Sequence, residues 1–545
     1  MNSTEKKTLS HNLFYSFVPL LVALIAHGSG VVNGFSFDDF TVLVDHPVVN
    51  GSVPLSRIFH YTFVGIPIEG GPPTFRPFTT FLFAIEWKIW GNRPALFHVM
   101  SLAWFLGLVW WVQVVFRNFL TEKQALLGAV IFACMAIHVS DVAAIAHRSE
   151  ILAMLFSLVA LHKAINKRLL QACLFYLLAM LSKESATFMP FLLLSYYLSQ
   201  DGLHFLKERP RRMAFLVLCC VAVVFVYIRF WWLPIAFANR VILADNPILG
   251  QPFEIRAWIP FVLLGRYIRL LFLPFNYAVD YTYSVIPMVL DFSDVYGWLG
   301  FVTIVSFSVA LLFFSLRKSS GVRRAVLFSI FAFFTSYVIY SNSFLLITVL
   351  MAERLFLGPS IWIALLLTVL GSTVYQQFQS VRRPLIVFIG GFCLLQLFGA
   401  NVRTSEWRND FTLFSALIRV HPNALRGHKA LAGQYDKRGN PKEAVWHLAL
   451  AIHGRNTYPK GFVKSEFGRG MGAWLKGEDL RYRPWVLPVT QEQMRWPIEK
   501  RLKLIPGFLA KYELSKRDAM RLFREIVLKE FSSSALAVVD GIYVP

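Results

Sequence analysis

Ala146-His147-Arg148-Ser149-Glu150-Ile151-Leu152-Ala153-Met154-Leu155-Phe156 opens an apolar run that ends at Ile165, where Asn166-Lys167-Arg168 takes over. Charge stands at the head and foot of this stretch, and none lies between Ile151 and Leu161. Ionisable groups near a membrane core cost about 2.5–3.5 kcal/mol each even on insertion scales, so they are functional or paired. The same design recurs. Phe37-Asp38-Asp39-Phe40 follows the first apolar run, Ser182-Lys183-Glu184-Ser185 sits between two others, and Ala352-Glu353-Arg354 precedes another.

Composition agrees with that reading. The chain has 545 residues, 56% hydrophobic and 16% aromatic, with a mean hydropathy of +0.53. Soluble domains are about 45–50% apolar. Apolar runs near 14–32, 96–116, 125–145, 149–165, 169–182, 186–199, 213–234, 297–316, 324–341, 355–375 and 384–401 predict about eleven spans, each weighed against the ~20 residues that cross a bilayer. The expected class is an all-α polytopic membrane protein. The net charge of +22 does not signal nucleic acid. Lys and Arg concentrate in short loops (166–168, 207–212, 317–324, 382–383), as the positive-inside rule requires. The run Leu13 to Ala26 after Lys6 and Lys7 reads as an uncleaved first span with its N-terminus inside.

This orientation brings the Asp38-Asp39 loop, Arg76, His147-Arg148, Lys183-Glu184, Asp245, Asp280 and Glu353-Arg354 to the outer side. Taken singly, each also has an explanation as an anchor or snorkelling residue; convergence on one face is the stronger statement. The expected organisation is a membrane domain 1–401, with outer loops 33–95 and 235–296. An interfacial helix over 257–275, preceded by Arg256, carries Arg266 and Arg269. Residues 402–459 follow as a tetratricopeptide-like helical hairpin, and 460–545 as a helical tail. In the hairpin, Ala432, Tyr435, Ala444, Leu448 and Ala451 fall at helical spacing around a turn at 436–440. One such unit must pack on neighbours, because it cannot bury its own faces.

The chemistry starts with Asp38 and Asp39. Adjacent carboxylates at an outer membrane face suit general-base work on a hydroxyl; the alternative is that they cap a helix or bind loop amides. Arg76, Arg148, Lys183, Arg269 and Arg354 suit a phosphate leaving group, or else pair within the bundle. Glu150, Glu184, Asp245, Asp280 and Glu353 complete the set of site candidates. All five cysteines lie in apolar runs, and no His has zinc-ligand spacing. A divalent metal could be bound by the paired acids, but none is expected, nor any other cofactor. No P-loop or nucleophile elbow occurs. A membrane enzyme without a nucleotide site can take activated substrate from the bilayer, and a polyprenyl-phosphate sugar is such a substrate.

Several segments, in order, resemble the eukaryotic transmembrane and tetratricopeptide-repeat O-mannosyltransferases of the GT-C superfamily. They are Phe37-Asp38-Asp39-Phe40, Phe75-Arg76-Pro77-Phe78, Pro94-Ala95-Leu96-Phe97-His98 and Arg148-Ser149-Glu150-Ile151-Leu152. Leu181-Ser182-Lys183-Glu184, Asp245-Asn246-Pro247, Leu273-Pro274 with Asp280-Tyr281, Ala352-Glu353-Arg354 and Glu406-Trp407-Arg408-Asn409 follow. The resemblance implies a luminal or periplasmic active site with an acid of the Asp38-Asp39 pair as base. Val139 stands where the family prefers Pro, Ser101 where it favours Asn, and about one repeat unit where it carries many. The reading that results is an inverting glycosyltransferase. It would move a sugar, mannose among the options, from a polyprenyl-phosphate donor to a protein Ser/Thr or an envelope glycan or lipid. The expected setting is a bacterial inner membrane, or the endoplasmic reticulum if the chain is eukaryotic. Membrane lipids and a protein partner of the repeat are further expected contacts, and nucleic acid is not. Two rivals are transfer of a preassembled oligosaccharide or phosphoglycan, and a non-catalytic assembly protein acting through its tail.

Overall fold

The computed structural model describes residues 17–68, 74–229, 246, 248, 253–281, 285–286, 292–344, 346–456, 488–509 and 516–542. Among the described residues every regular element is helical, and the one pairing of extended chain is an isolated bridge between Tyr61 and Pro67. The all-α polytopic membrane fold is therefore the observed one.

Helices stand in all the stretches expected to span. They are α1 (Phe17–Val32), then, after α2 (Pro77–Trp90) in the first outer loop, α3 (Pro94–Phe116), α4 (Glu122–Cys134), α5 (Val139–Ala143), α6 (Arg148–Ile165), α7 (Leu169–Ser182) and α8 (Met189–Asp201). The series continues with α9 (Arg209–Tyr227), α10 (Phe253–Phe272), α11 (Val295–Ser315), α12 (Gly321–Tyr337), α13 (Leu357–Gln377) and α14 (Arg382–Glu406). Pro77 and Pro94 open α2 and α3, where a missing N–H costs nothing. Thr121 and Gln124 close a capping box on α4. Among the described residues 7 helices qualify as spans by length and apolarity, with an eighth if the helices at 122–134 and 136–143, bent by 53°, make one. α1 and α7 are shorter apolar helices, and α8 has 13 residues. Length alone leaves the expected count of about eleven spans unconfirmed.

α6 and α13 are the central helices: 94% and 78% of their most apolar windows are buried, against 11% for α11 and 17% for α14. Charges at the heads of α6 and α13 therefore sit deep in protein, not against lipid. Close approach between helices relies on small residues, as expected where lipid competes with apolar side chains. A Cβ on Gly265 of α10 would lie 1.9 Å from the Tyr296 carbonyl oxygen of α11. Tyr267 further ties α10 inward, its hydroxyl donating to the Ala352 carbonyl (3.0 Å). The segment expected as an interfacial helix is thus firmly packed into the bundle.

One backbone device occurs repeatedly. An extended residue ends one element, a 3-10 turn follows, and a new helix starts. Ala144 (ψ 115°) leads into Ile145–His147 and then α6. Lys183 (φ −159°, ψ 139°) leads into Glu184–Phe188 and then α8. Ala352 (φ −157°, ψ 141°) leads into Glu353–Phe356 and then α13. Met135 does the same between α4 and α5. Backbone freed inside a membrane must find partners. At the α4–α5 bend Gln396 of α14 serves as a splint, accepting from Ala136 N (3.0 Å) and donating to the Leu271 carbonyl (2.8 Å).

α14 runs to Glu406, past the boundary expected at 401. Beyond it α15 (Asp410–Val420), α16 (Leu425–Lys437) and α17 (Pro441–Asn456) form the expected tail hairpin with one added helix. Gly439 (φ +70°) makes the α16–α17 turn. Ala432 and Ala444 are fully buried between the pair. The outer face of α17 does find neighbours. Val445, Trp446 and Leu450 share a second core with Ile505, Phe523, Val527 and Val539 from helices at 505–509, 516–530 and 533–542.

Candidate active site

The loop after α1 carries the acidic pair. Phe37 is held at φ +51°, a left-handed conformation that costs a bulky residue about 1–3 kcal/mol. Asp38 and Asp39 follow and point to different fates. Asp39 is fully buried and accepts from Ala146 N (2.8 Å) and Ser36 N (3.2 Å). Burial pushes its carboxyl up to about 7, with Asp38 and Asp410 adding to the rise and the two amides opposing it. The Asp38 side chain keeps 43% of its surface exposed. Burial of the loop raises its pKa, but the guanidinium charges of Arg354 and Arg76 pull the other way, and the net direction is below the usual carboxylate range. The two acids do not share a cation cradle, because Asp39 is turned to backbone amides.

His147 lies between Asp38 and Arg354. Its Nδ1 is 2.7 Å from the Ser140 carbonyl. A carbonyl only accepts, so Nδ1 carries the hydrogen, and neutral Nε2 offers a lone pair. Arg354 donates to that Nε2 at 3.1 Å, and Asp38 Oδ2 is 3.8 Å from it. Two more clusters adjoin. Lys183 pairs with Glu150, which also accepts from the Tyr340 hydroxyl (3.0 Å). Arg76 pairs with Glu184 (3.3 Å), donates to Ser149 Oγ (3.1 Å) and lies over the Phe63 ring. Arg229 reaches the other Glu184 oxygen (3.7 Å). Burial raises Glu184, yet the charges of Arg76, Arg229 and Lys183 bring it down to about 2.

Of the sequence candidates, Asp38, Arg76, Glu150, Lys183, Glu184 and Arg354 are therefore brought together. Arg148 is not, and this corrects its expected part in holding a phosphate. Its side chain is wholly buried. Nη1 bonds Glu86 (2.6 Å), Nη2 the Phe97 carbonyl (2.7 Å) and Nε Ser101 Oγ (3.0 Å). It clamps α6 to α2 and α3. Glu353 is likewise spent inside, bound by Arg403 (3.2 Å) and the Tyr281 hydroxyl (2.9 Å). Asp280 faces Arg426 of α16 (3.5 Å), and Arg269 donates to the Phe275 carbonyl (2.6 Å). Asp245 lies outside the described residues. Sequence reasoning did not single out Tyr340, Arg229, Arg403 or Asp410. It quoted His147 without giving it a role, although the residue stands beside Arg148. Asp141, fully buried at the α5 turn, has no hydrogen bond to either carboxylate oxygen among the described residues. No cluster of three His, Cys, Asp or Glu able to hold a metal occurs among the described residues.

An apolar groove of about 930 Å³ opens beside this site, lined by Phe188, Phe191, Val223, Tyr227, Phe334 and Val338 among others. Its walls are α8, α9 and the end of α12. Thr187 and Ile339, also in the lining, belong to the turn of Glu184 and to the chain just before Tyr340.

Comparison with known proteins points one way. No family profile matches the chain. Protein O-mannosyl-transferase F38B6.6 of Caenorhabditis elegans is 25% identical over 460 residues, covering 83% of this chain and 64% of that protein. The chain is similar to protein O-mannosyl-transferases. Protein O-mannosyl-transferase TMTC3 of Mus musculus is 22% identical over 476 residues (80% of this chain, 51% of that protein). Protein O-mannosyl-transferase TMTC4 of Homo sapiens is 22% identical over 488 residues (78% and 64%). The chain thus spans about half to two thirds of the length of these O-mannosyl-transferases. Residues 1–401 are 401 of 545, about 74%, so a match over 83% reaches from the membrane helices into the tail.

Proposed function

We propose that the chain is an inverting glycosyltransferase of GT-C type that transfers a sugar, mannose by analogy with its relatives, from a polyprenyl phosphate to a protein Ser or Thr hydroxyl. The observation that carries the reading is a half-exposed carboxylate, Asp38, set across His147 from Arg354, in a bundle whose apolar groove is lined in part by the turn that follows Lys183 and Glu184. The polyprenyl tail lies in the groove between α8, α9 and α12. Its phosphate sits among Arg76, Lys183, Arg229 and Arg354, and the sugar stands between phosphate and Asp38.

The acceptor oxygen attacks the anomeric carbon from the side opposite the phosphate. Its proton passes to Asp38, which its neighbours keep ionised at neutral pH. The bond from the anomeric carbon to the phosphate oxygen breaks, and its electron pair leaves with the polyprenyl phosphate. Fixed guanidinium and ammonium groups stabilise that charge as it develops, without reorganisation at the moment of reaction. Arg354 turns from His147 to the phosphate when donor arrives. Glu150 and Glu184 hold Lys183 and Arg76 in place beforehand. No metal is needed for this sequence. Site and tail share the outer face, periplasmic in a bacterium or luminal in the endoplasmic reticulum.

The test is transfer of radiolabelled sugar from a panel of polyprenyl-phosphate sugars to Ser/Thr-rich peptides, by wild type and Asp38→Asn in nanodiscs. Label moving from one donor with wild type alone supports the reading. Equal transfer by both proteins sinks Asp38 as base, and no transfer or donor binding sinks the enzyme assignment.

A further inference from the structure

The loop bearing Asp38 is laced to the start of the tail. Asn33 Nδ2 donates to the Thr404 carbonyl (3.1 Å), Gly34 N to the Arg408 carbonyl (3.0 Å) and Phe37 N to Asp410 Oδ1 (2.7 Å). The Phe37 ring meets Phe414 edge to face at 5.9 Å. The last two contacts fall on the residue held at φ +51°. A phenylalanine gains nothing from that conformation by itself, because its Cβ crowds the following carbonyl. Rotation back to a negative φ would swing Asp38 away from His147 and pull Asp39 from the Ala146 amide. The other oxygen of Asp410 accepts from Gln434 of α16 (3.4 Å). The path from the hairpin to the acid is thus Gln434, Asp410, Phe37, Asp38.

We infer that Asp410 is a positioning residue for Asp38, and that the extramembrane tail is thereby a working part of the active site. Asp410 touches no substrate. It fixes a backbone dihedral, and the dihedral aims the base. The inference rests on the reading of Asp38 as base given above. It explains why the acidic loop sits in a strained form. It also gives the α15–α16 corner a task apart from any acceptor it holds.

The experiment uses the full chain in nanodiscs, with radiolabelled polyprenyl-phosphate mannose and a Ser/Thr-rich peptide. Wild type, Asp38→Asn, Asp410→Ala, Asp410→Asn and Phe414→Leu are compared. Misplacing a catalytic group by about 1 Å costs on the order of 10²-fold. Asp410→Ala should therefore lower kcat about 10–10²-fold, with KM for the donor within about 2-fold of wild type. Asp410→Asn keeps an acceptor oxygen and should restore most of the loss. Phe414→Leu should cost a few-fold in kcat, and it decides the matter if Asp410→Ala does not fold. Wild-type kcat in Asp410→Ala, or in Phe414→Leu where the alanine variant does not fold, overturns the inference. Equal loss in Asp410→Asn and Asp410→Ala also overturns it, since charge and not the hydrogen bond would then matter. If Asp38→Asn is inactive while Asp410→Ala is fully active, this inference fails alone; if Asp38→Asn is active, the base assignment fails with it.

Discussion

Two arginines near the heads of central helices behave in opposite ways. Arg148 is sealed, with all three guanidinium nitrogens bonded to Glu86, Phe97 and Ser101. Arg354 has one hydrogen bond among the described residues, to a neutral His147 nitrogen that has nothing else to offer it. Among the described residues the protein saturates the first guanidinium and leaves most of the second's donors unused. Charge near a membrane face is therefore not one signal but two, and saturation of the donors tells them apart. The acids divide the same way: Asp39 is satisfied by two amides, and Asp38 by none.

The largest effect expected from this contrast is at Asp38. Asp38→Asn should lower turnover by roughly 10²–10⁴-fold while the protein stays folded; wild-type rates would erase the distinction between the two acids. Next comes Arg148→Ala, which leaves Glu86 buried and uncompensated. A loss of about 3–5 kcal/mol of stability is expected, read as a fall in Tm in detergent, with residual activity falling only in step with folded protein. A selective loss of donor affinity in a stable variant would return Arg148 to the phosphate site. Arg354→Gln should do the reverse, holding Tm and lowering kcat/KM by about 10²-fold, the scale of one lost charge-stabilising donor.

The same Arg354→Gln variant has a pH signature. Asp38 must be ionised to act, so kcat/KM falls as pH drops through its depressed pKa. Arg354 is one of the charges that depress it, so the acid limb of the profile should move to higher pH in the variant. An unmoved limb would mean that Arg354 does not sense Asp38. The smallest effect is at Asp39, where an Asn still accepts one amide and the cost should be about 1 kcal/mol. Its folded-state pKa of about 7 stands above the ordinary 3.8. The acid form therefore favours the fold, and its contribution is lost as pH rises through about 7. Chemical denaturation from pH 5 to 8 should show the difference between wild type and Asp39→Asn shrinking on the alkaline side, and a constant difference would refute the protonated form.

Much of this was legible in the sequence. Long apolar runs between basic loops gave the all-α membrane class and the positions of the helices, because bilayer thickness fixes run length. Span number was less legible, since helices such as α7 and α8 are shorter than a full crossing and hydropathy alone does not say how they sit. The turns before α6, α8 and α13 begin at Ala144, Lys183 and Ala352, and none carries the Gly or Pro that marks a break. Tertiary partners such as Gln396 hold the one between α4 and α5, and those are distant in sequence. At the site, the sequence reading takes Arg148 as a phosphate ligand and Glu150 as a further site candidate. Two residues apart on a helix, they face opposite ways; Glu150 meets Lys183 and Tyr340 while Arg148 meets α2 and α3. That error was avoidable from helix geometry. The Asp410 contact was not, since 373 residues separate it from Phe37.

The repeated turn that starts α6, α8 and α13 has an electrical consequence. The first amides of each 3-10 turn, ahead of the helix it leads into, have no acceptor within their own helix, and the aligned dipoles behind them amount to about half a positive charge. His147 against Arg354, and Lys183 against Glu150, bring these three starts to one side of the bundle. The backbone thus adds a positive field that no pH change removes and no single side-chain substitution abolishes. A lipid phosphate would meet attraction there even with one lysine or arginine gone, so single cation variants should weaken the protein by degrees and not silence it.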